Sequence, residues 1–224
     1  MVKNKRIPKF MMSVVEAKVG ISLVLCFVLC FSCNNSTFKN ETELLTFLKD
    51  ETNGYIQHKT INGVDFSLMY RPTDLLVNQE LGTSTTLSNR SDATKERIKH
   101  LRDKYSKYMY FNLSMSMNNQ ELLSTAPKNR NEFGAMVNQL AFGMGDKVHV
   151  FTQSKDTLEL ADYVYPRMYG MSRATTMMFV YPRDADKLDQ DNLNFTIADL
   201  GLYTGEVKFK IPTKLLKNEP TLKF

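Results

Sequence analysis

Helical and strand periodicities alternate along the chain after residue 39, and they predict most of its elements. Residues 40–43 (NETE) put a capping Asn three places before a carboxylate, and Leu44, Leu45, Phe47 and Leu48 follow at helical spacing. A short helix ending near Gly54 is expected. Residues 55–61 and 64–71 then flank Asn62-Gly63, a dipeptide suited to the two positive φ angles of a type I′ turn. That turn sets Ile61 opposite Val64, Lys59 opposite Phe66, Gln57 opposite Leu68 and Tyr55 opposite Tyr70, with the apolar set on one side and His58 on the other. Thr73 is placed to cap a helical turn through Leu75, Leu76 and Val77. Residues 83–94, rich in Ser and Thr, read as an exposed loop. Residues 94–107 carry a narrow stripe of Ile98, Leu101 and Tyr105 among six basic side chains, which predicts a basic surface helix with a solvated charged face.

From Tyr108 the period becomes two: Met109, Phe111, Leu113, Met115 and Met117 share one face of a strand. Asn131 is expected to cap a helix using Phe133, Met136, Val137 and Leu140, closed by Gly143 and Gly145. Residues 148–153 and 157–165 suggest a second hairpin, and 174–181, 193–198 and 206–211 suggest further strands. These are about eight short strands, with two or three helices confined to the first two-thirds and no regular strand–helix alternation. The pattern predicts an α+β fold, mainly antiparallel β-sheet, as a sandwich or curved sheet with helices packed at one end.

The first 32 residues obey neither pattern. Lys3, Lys5, Arg6, Lys9 and Lys18 precede a 12-residue apolar run at 20–31, a basic n-region and an h-region of secretory length. A membrane-spanning helix needs about 20 apolar residues, so the run is too short for a permanent span. All three cysteines, Cys26, Cys30 and Cys33, lie in or just after it, which excludes a downstream disulfide or Cys-ligated metal. Residues 29–36 (LCFSCNNS) resemble the lipobox of bacterial lipoproteins in the looser form of the Bacteroidota; Ser32 and Cys33 fit, while Cys30 and Phe31 depart from the strict pattern. The resemblance implies a type II signal peptide at 1–32 cleaved after Ser32, acylation of Cys33 with palmitate, and a lipidated Cys with a polar tether at 33–40. A single β-rich domain at 41–224 follows. It further implies a membrane held through the lipid anchor, in a cell envelope. Asn34, in place of the Asp that retains enterobacterial lipoproteins in the inner membrane, points to the outer membrane. This resemblance covers about the first 36 residues and leaves the domain unassigned.

Charge follows from the same cleavage. The whole chain of 224 residues carries +5, but removal of 1–32 leaves 24 basic and 23 acidic residues. A nearly neutral domain gives no compositional support to nucleic-acid binding, so no nucleic acid is expected as a partner. With 42% hydrophobic and 24% charged residues the composition is that of a globular protein rather than a disordered one.

Candidate chemistry is sparse. There is no Gly-x-Ser-x-Gly elbow, Walker loop or dinucleotide fingerprint, and His58, His100 and His149 are the available imidazoles. An envelope hydrolase is therefore an alternative, with no enzyme activity and no cofactor as the expectation. Asp184, Asp186, Asp189 and Asp191 supply oxygen ligands for Ca²⁺ but lack the turn Gly and terminal carboxylate of a calcium loop, and read as a solvated loop. Met115 and Met117, on one strand face, are thioethers able to bind Cu(I), against the simpler role of filling a core. Tyr163, Tyr165, Tyr169 and Tyr181 would form a carbohydrate-binding ridge if exposed together, and Tyr-Pro-Arg occurs twice, at 165–167 and 181–183. The function expected is a membrane-anchored lipoprotein whose domain is a non-catalytic binding or assembly module for envelope proteins. A metal-binding (Cu or Ca) or solute-binding lipoprotein is the other alternative.

Overall fold

The Asn62-Gly63 turn forms as its sequence predicts, with φ of 51° and 75°, and fixes the register of everything built on it. The structure, a computed structural model, describes residues 36–82, 92–168 and 170–224. Ser32 and Cys33, most of the Ser/Thr-rich stretch and Tyr169 lie outside the described residues. Strands β2 (Ile56–Ile61) and β3 (Val64–Arg71) pair with Ile61 opposite Val64 and Lys59 opposite Phe66, and Tyr55 O accepts the Tyr70 N–H beyond them. β3 continues antiparallel to β4 (Tyr108–Met117), which pairs in turn with β9 (Thr175–Pro182) and, at its end, with β5 (Gln120–Glu121). The short β8 (Asp162–Val164) forms the far edge of this sheet against β9.

A second antiparallel sheet has the order β11 (Val207–Pro212), β10 (Asn192–Ile197), β6 (Val148–Thr152) and β7 (Thr157–Leu158). Its inner residues Val150, Leu193, Phe195 and Phe209 meet Phe66, Phe111, Leu113, Met115, Met177, Phe179 and Tyr181 of the first sheet in one buried cluster. Phe195 lies within ring contact of Phe111, Phe179 and Tyr181, at 5.7, 5.8 and 6.4 Å between centroids. Full burial of each such side chain contributes about 1.5–3 kcal/mol, and this aromatic seam joins the two sheets.

Four helices of nine or more residues pack around the sandwich among the described residues: α1 (Glu41–Lys49), α2 (Thr73–Leu81), α3 (Asp92–Tyr105) and α5 (Arg130–Phe142). Between the last two lies the one-turn α4 (Leu122–Thr125), and the late segments α6 (Ala185–Leu188) and α7 (Thr213–Lys217) add helical turns in the last third, where only strands were expected. The fold is α+β, with 12 strands among the described residues, eight of them three residues or longer.

Several local expectations are corrected. The strand expected over 157–165 divides, β7 pairing with β6 in one sheet and β8 with β9 in the other, because the chain crosses between sheets at 159–161. Thr73 does not cap α2; Pro72 holds the cap position without a side-chain bond, and the Glu219 carboxylate accepts the Thr73 N–H at 3.1 Å instead. The α5 cap is Asn129 rather than Asn131, since its side chain accepts from both Asn131 N and Glu132 N. Part of the expected tether belongs to the domain: β1 (Thr37–Phe38) pairs in parallel with β12 (Thr221–Leu222), and Asn40 caps α1.

Candidate functional site

The residues singled out from the sequence are not brought together. Met115 is fully buried on the inner face of β4, Met117 is half-buried at its end, and Met178 faces the opposite side, its sulfur 3.7 Å from Arg71 Nη1. Asp184 caps α6, accepting from Asp186 N and Lys187 N, while Asp189 pairs with Lys217 at 2.9 Å. The segment read as a solvated loop is thus a capped helical turn with Asp186 exposed on it. His58, on an edge strand, stands 3.7 Å from Glu51; His100 is exposed on α3 and His149 on the outer face of β6. Among the described residues no group of three or more His, Cys, Asp or Glu is placed to hold a metal ion. The tyrosine ridge does not form, because Tyr181 is fully buried and Tyr163 stacks on Phe179 at 5.7 Å.

Two carboxylates, Asp74 buried and Glu219 half-buried, organise the end of the molecule where β3 meets α2. Glu219 accepts from the Tyr70 hydroxyl at 2.8 Å and the Thr73 hydroxyl at 2.7 Å, and lies 3.3 Å from Arg183. Arg183 also donates to Leu216 O and to the Tyr70 hydroxyl, each at 2.6 Å. Burial, reinforced by the Glu219 charge, pushes the Tyr70 phenol well above its ordinary range. Asp74, 3% exposed, receives a two-point contact from Arg102 at 2.7 and 2.7 Å and the Leu222 N–H at 2.8 Å. These groups bond to one another, with the buried Arg183 Nε left without a partner, and Asp74 and Arg102 tie Leu222 of the last strand to the domain.

The opposite end holds an apolar concavity. Asn118 and Asn119 adopt φ of 52° and 58°, a second two-residue hairpin turn, which brings β5 back so that Glu121 stands opposite Ser116. Glu121 is 3% exposed and accepts the N–H groups of Gly170 and Ser172 at 3.1 and 3.0 Å, fastening the segment before β9 over the start of α4. The Thr175 hydroxyl accepts the Leu122 N–H at 3.0 Å on the same side. Between this segment and α5 lies a cleft of about 360 Å³ with Glu121 in its lining and Leu123, Phe133, Val137 and Tyr165 as apolar walls. Arg167, from the first Tyr-Pro-Arg, also lines it, whereas Tyr181 and Arg183 of the second copy serve the core and the Glu219 cluster.

The α5 stripe is informative because it fails to bury. Of Phe133, Met136, Val137 and Leu140, Leu140 alone is fully covered, and Phe133 is left 46% exposed beside the cleft, with Met168 and Met171 exposed at 41% and 78% in the facing segment. Of these exposed side chains Phe133 lines the cleft, and Met168 and Met171 lie outside its lining. The cleft offers a place for an apolar group with a guanidinium nearby; among the described residues that line it there is no imidazole and no thiol.

The other side of α5, with Met136 and Gln139, borders a wider groove of about 520 Å³ whose far wall is the loop around Tyr203. Asp199 shapes that loop: burial raises its carboxyl, but backbone N–H groups of Leu202, Thr204, Gly201 and Gly205 outweigh this and hold it below the usual range. Tyr203 stands 85% exposed at φ 57° on the loop so formed.

The site is thus an apolar cleft with Glu121 and Arg167 in its lining, on an α+β fold of two antiparallel sheets. No family model matches the chain, and no curated protein matches it. A solved structure of a protein of unknown function from Burkholderia pseudomallei is similar over 78% of this chain and 84% of that chain, at 9% identity and a TM-score of 0.38. No described helix is long and apolar enough to cross a membrane.

Proposed function

We propose that the protein is a lipoprotein of a bacterial cell envelope, cleaved after Ser32 and acylated at Cys33, whose domain is a non-catalytic binding module. The anchor is supported by the apolar run that ends beside Cys33 and by the absence of any later cysteine. The binding role rests on one observation, the apolar cleft under α5 with Phe133 exposed at its wall. Its contact is an apolar side chain or segment of an envelope protein. The volume also lies within the range of small-ligand pockets, which favours a solute-binding lipoprotein as the second reading.

Radiolabelled palmitate is expected in the wild-type chain and absent from Cys33→Ala; equal labelling overturns the anchor. For the cleft, crosslinking in intact cells is compared between wild type and Phe133→Ala/Val137→Ala. Loss of a discrete adduct at unchanged thermal stability supports the module, and an unchanged adduct pattern overturns the cleft as its contact. Native mass spectrometry of the gently extracted protein reads out the second alternative as a bound small molecule.

A further inference from the structure

The charges around the cleft beside α5 are unevenly answered. The two stretches that form it, residues 121–142 and 165–174, carry four basic and two acidic side chains, and both acids are engaged. Glu121 accepts the Gly170 and Ser172 N–H groups at 3.1 and 3.0 Å, one on each oxygen. Glu132 accepts from Lys128 N and Asn129 Nδ2, each at 2.8 Å, and lines the groove on the other side of α5, as Lys128 does. Two acids on the neighbouring strands lie outside the cleft lining: Asp65 accepts from the Thr60 hydroxyl at 2.6 Å, and Asp162 is exposed on β8.

Three arginines are left. Arg130, Arg167 and Arg173 are exposed, and among the described residues no guanidinium of the three has a hydrogen bond or ion pair. Arg167 lines the cleft. Arg130 shares a face of α5 with Phe133 and Val137, which follow it by three and seven residues. Arg173 follows Ser172, whose N–H holds Glu121. As the first residue of α5, Arg130 stands where the helix macrodipole disfavours a cation, so its charge does nothing for the helix.

We infer that the cleft takes an acidic apolar segment of a partner polypeptide: one apolar side chain seated among Leu123, Phe133, Val137 and Tyr165, with carboxylates on both sides of it meeting Arg130, Arg167 and Arg173. The inference rests on the binding-module reading of the cleft and names the chemistry of its partner. A small apolar acid brings one carboxylate, which answers one guanidinium in a two-point contact. The three guanidinium groups stand on two separate elements, and a chain with several carboxylates answers them together. The apolar anchor supplies affinity, and the charges supply the choice of partner.

The test uses the full chain expressed with its leader and reconstituted into vesicles of phosphatidylcholine, a lipid without net charge. The probe is a pentapeptide of four glutamates around a central leucine, amidated at its end and carrying a tritiated acetyl group; binding is read by sedimenting the vesicles. Arg130→Gln/Arg167→Gln is expected to weaken binding several-fold at unchanged Tm, since each exposed ion pair is worth up to about fivefold. Raising salt from about 0.1 to about 1 M, which shortens the Debye length from about 10 to about 3 Å, should do the same. Lys208→Gln/Lys210→Gln removes two exposed charges on β11 and should leave binding unchanged; an equal loss there reduces the effect to net charge and overturns the site. Serine in place of the leucine should abolish binding. Equal binding of a peptide with glutamines for its glutamates overturns the acidic partner and leaves the cleft standing as an apolar site. Displacement of the probe by N-acetyl-leucine at equal concentration makes the occupant a small acid and overturns the segment. If no peptide binds, the inference is overturned, while the cleft itself is judged separately by the Phe133→Ala/Val137→Ala crosslinking.

Discussion

Replacement of Glu219 by Ala removes one carboxylate and takes a partner from four groups at once. The Tyr70 hydroxyl, Thr73 N–H, Thr73 hydroxyl and Arg183 guanidinium all direct hydrogen-bond donors or positive charge at it, and the Arg183 and Glu219 side chains are 19% and 16% exposed. Breaking a buried ion pair by deleting one partner costs about 3–5 kcal/mol, and residual water access places this one at the low end, about 3 kcal/mol. For a domain of this size about 1 kcal/mol moves Tm by 2–4 °C, so a fall of roughly 9 °C is expected, with a urea midpoint lower by about 1 M. Glu219→Gln keeps an acceptor for Thr73 and should lose about half as much. A double-mutant cycle with Tyr70→Phe should return a coupling of about 1 kcal/mol. Equilibrium unfolding of all four proteins, followed by circular dichroism, decides the matter. A loss below about 1 kcal/mol for Glu219→Ala would refute the reasoning, because the carboxylate would then be no better placed in the fold than in water.

Asp74→Asn is expected to cost about 2 kcal/mol by weakening the two-point contact to Arg102, and to speed amide exchange at Leu222, whose N–H Asp74 accepts. Gly63→Ala tests backbone conformation alone, since φ is 75° and nothing lies within 4 Å of the added methyl; thermal unfolding should show a loss of about 1–2 kcal/mol. At high pH the tyrosines govern stability. Burial pushes Tyr55 and Tyr110 up to about 12, so the folded chain holds their protons more tightly than the unfolded chain does. Their contribution is complete below about pH 10 and is lost as pH rises through 12, so urea midpoints should fall across that window as phenolate absorbance grows.

What the sequence makes legible depends on how far apart the deciding atoms lie. The β2–β3 register follows from Asn62-Gly63 because turn and pattern are local, and Phe66, Leu68 and Tyr70 are buried where the alternation puts them. The Asn118-Asn119 turn has a comparable local signal, two residues tolerant of positive φ after an alternating strand, and it positions Glu121. By contrast, the cap on α2 comes from Glu219, which is 146 residues away from Thr73, and no window of sequence announces it. The break of 157–165 between two sheets is equally non-local, since both halves keep strand character and differ only in partner. The cleft escapes pattern reading for a related reason. Phe133 and Val137 carry the spacing of a core stripe, and periodicity cannot tell a face that meets the core from one that meets a cavity.

The two ends of the six-stranded sheet differ in what their polar groups accomplish. At one end Glu219 and Asp74 close on Arg183 and Arg102, and Asp74 and Arg102 hold Leu222 of the last strand. At the other, Glu121 uses its two oxygens on the backbone of Gly170 and Ser172, positioning a segment whose own side chains, Met168 and Met171, remain exposed. A buried carboxylate that holds an exposed apolar segment stabilises a surface rather than a core. Phe133→Ala should therefore leave stability within about 0.5 kcal/mol of wild type, as expected for a side chain still half in water. Val150→Ala on the inner face of β6, fully buried, should cost more than about 2 kcal/mol. Equal losses at the two positions, measured by thermal unfolding, would mean that Phe133 belongs to the core and that the cleft is closed in solution.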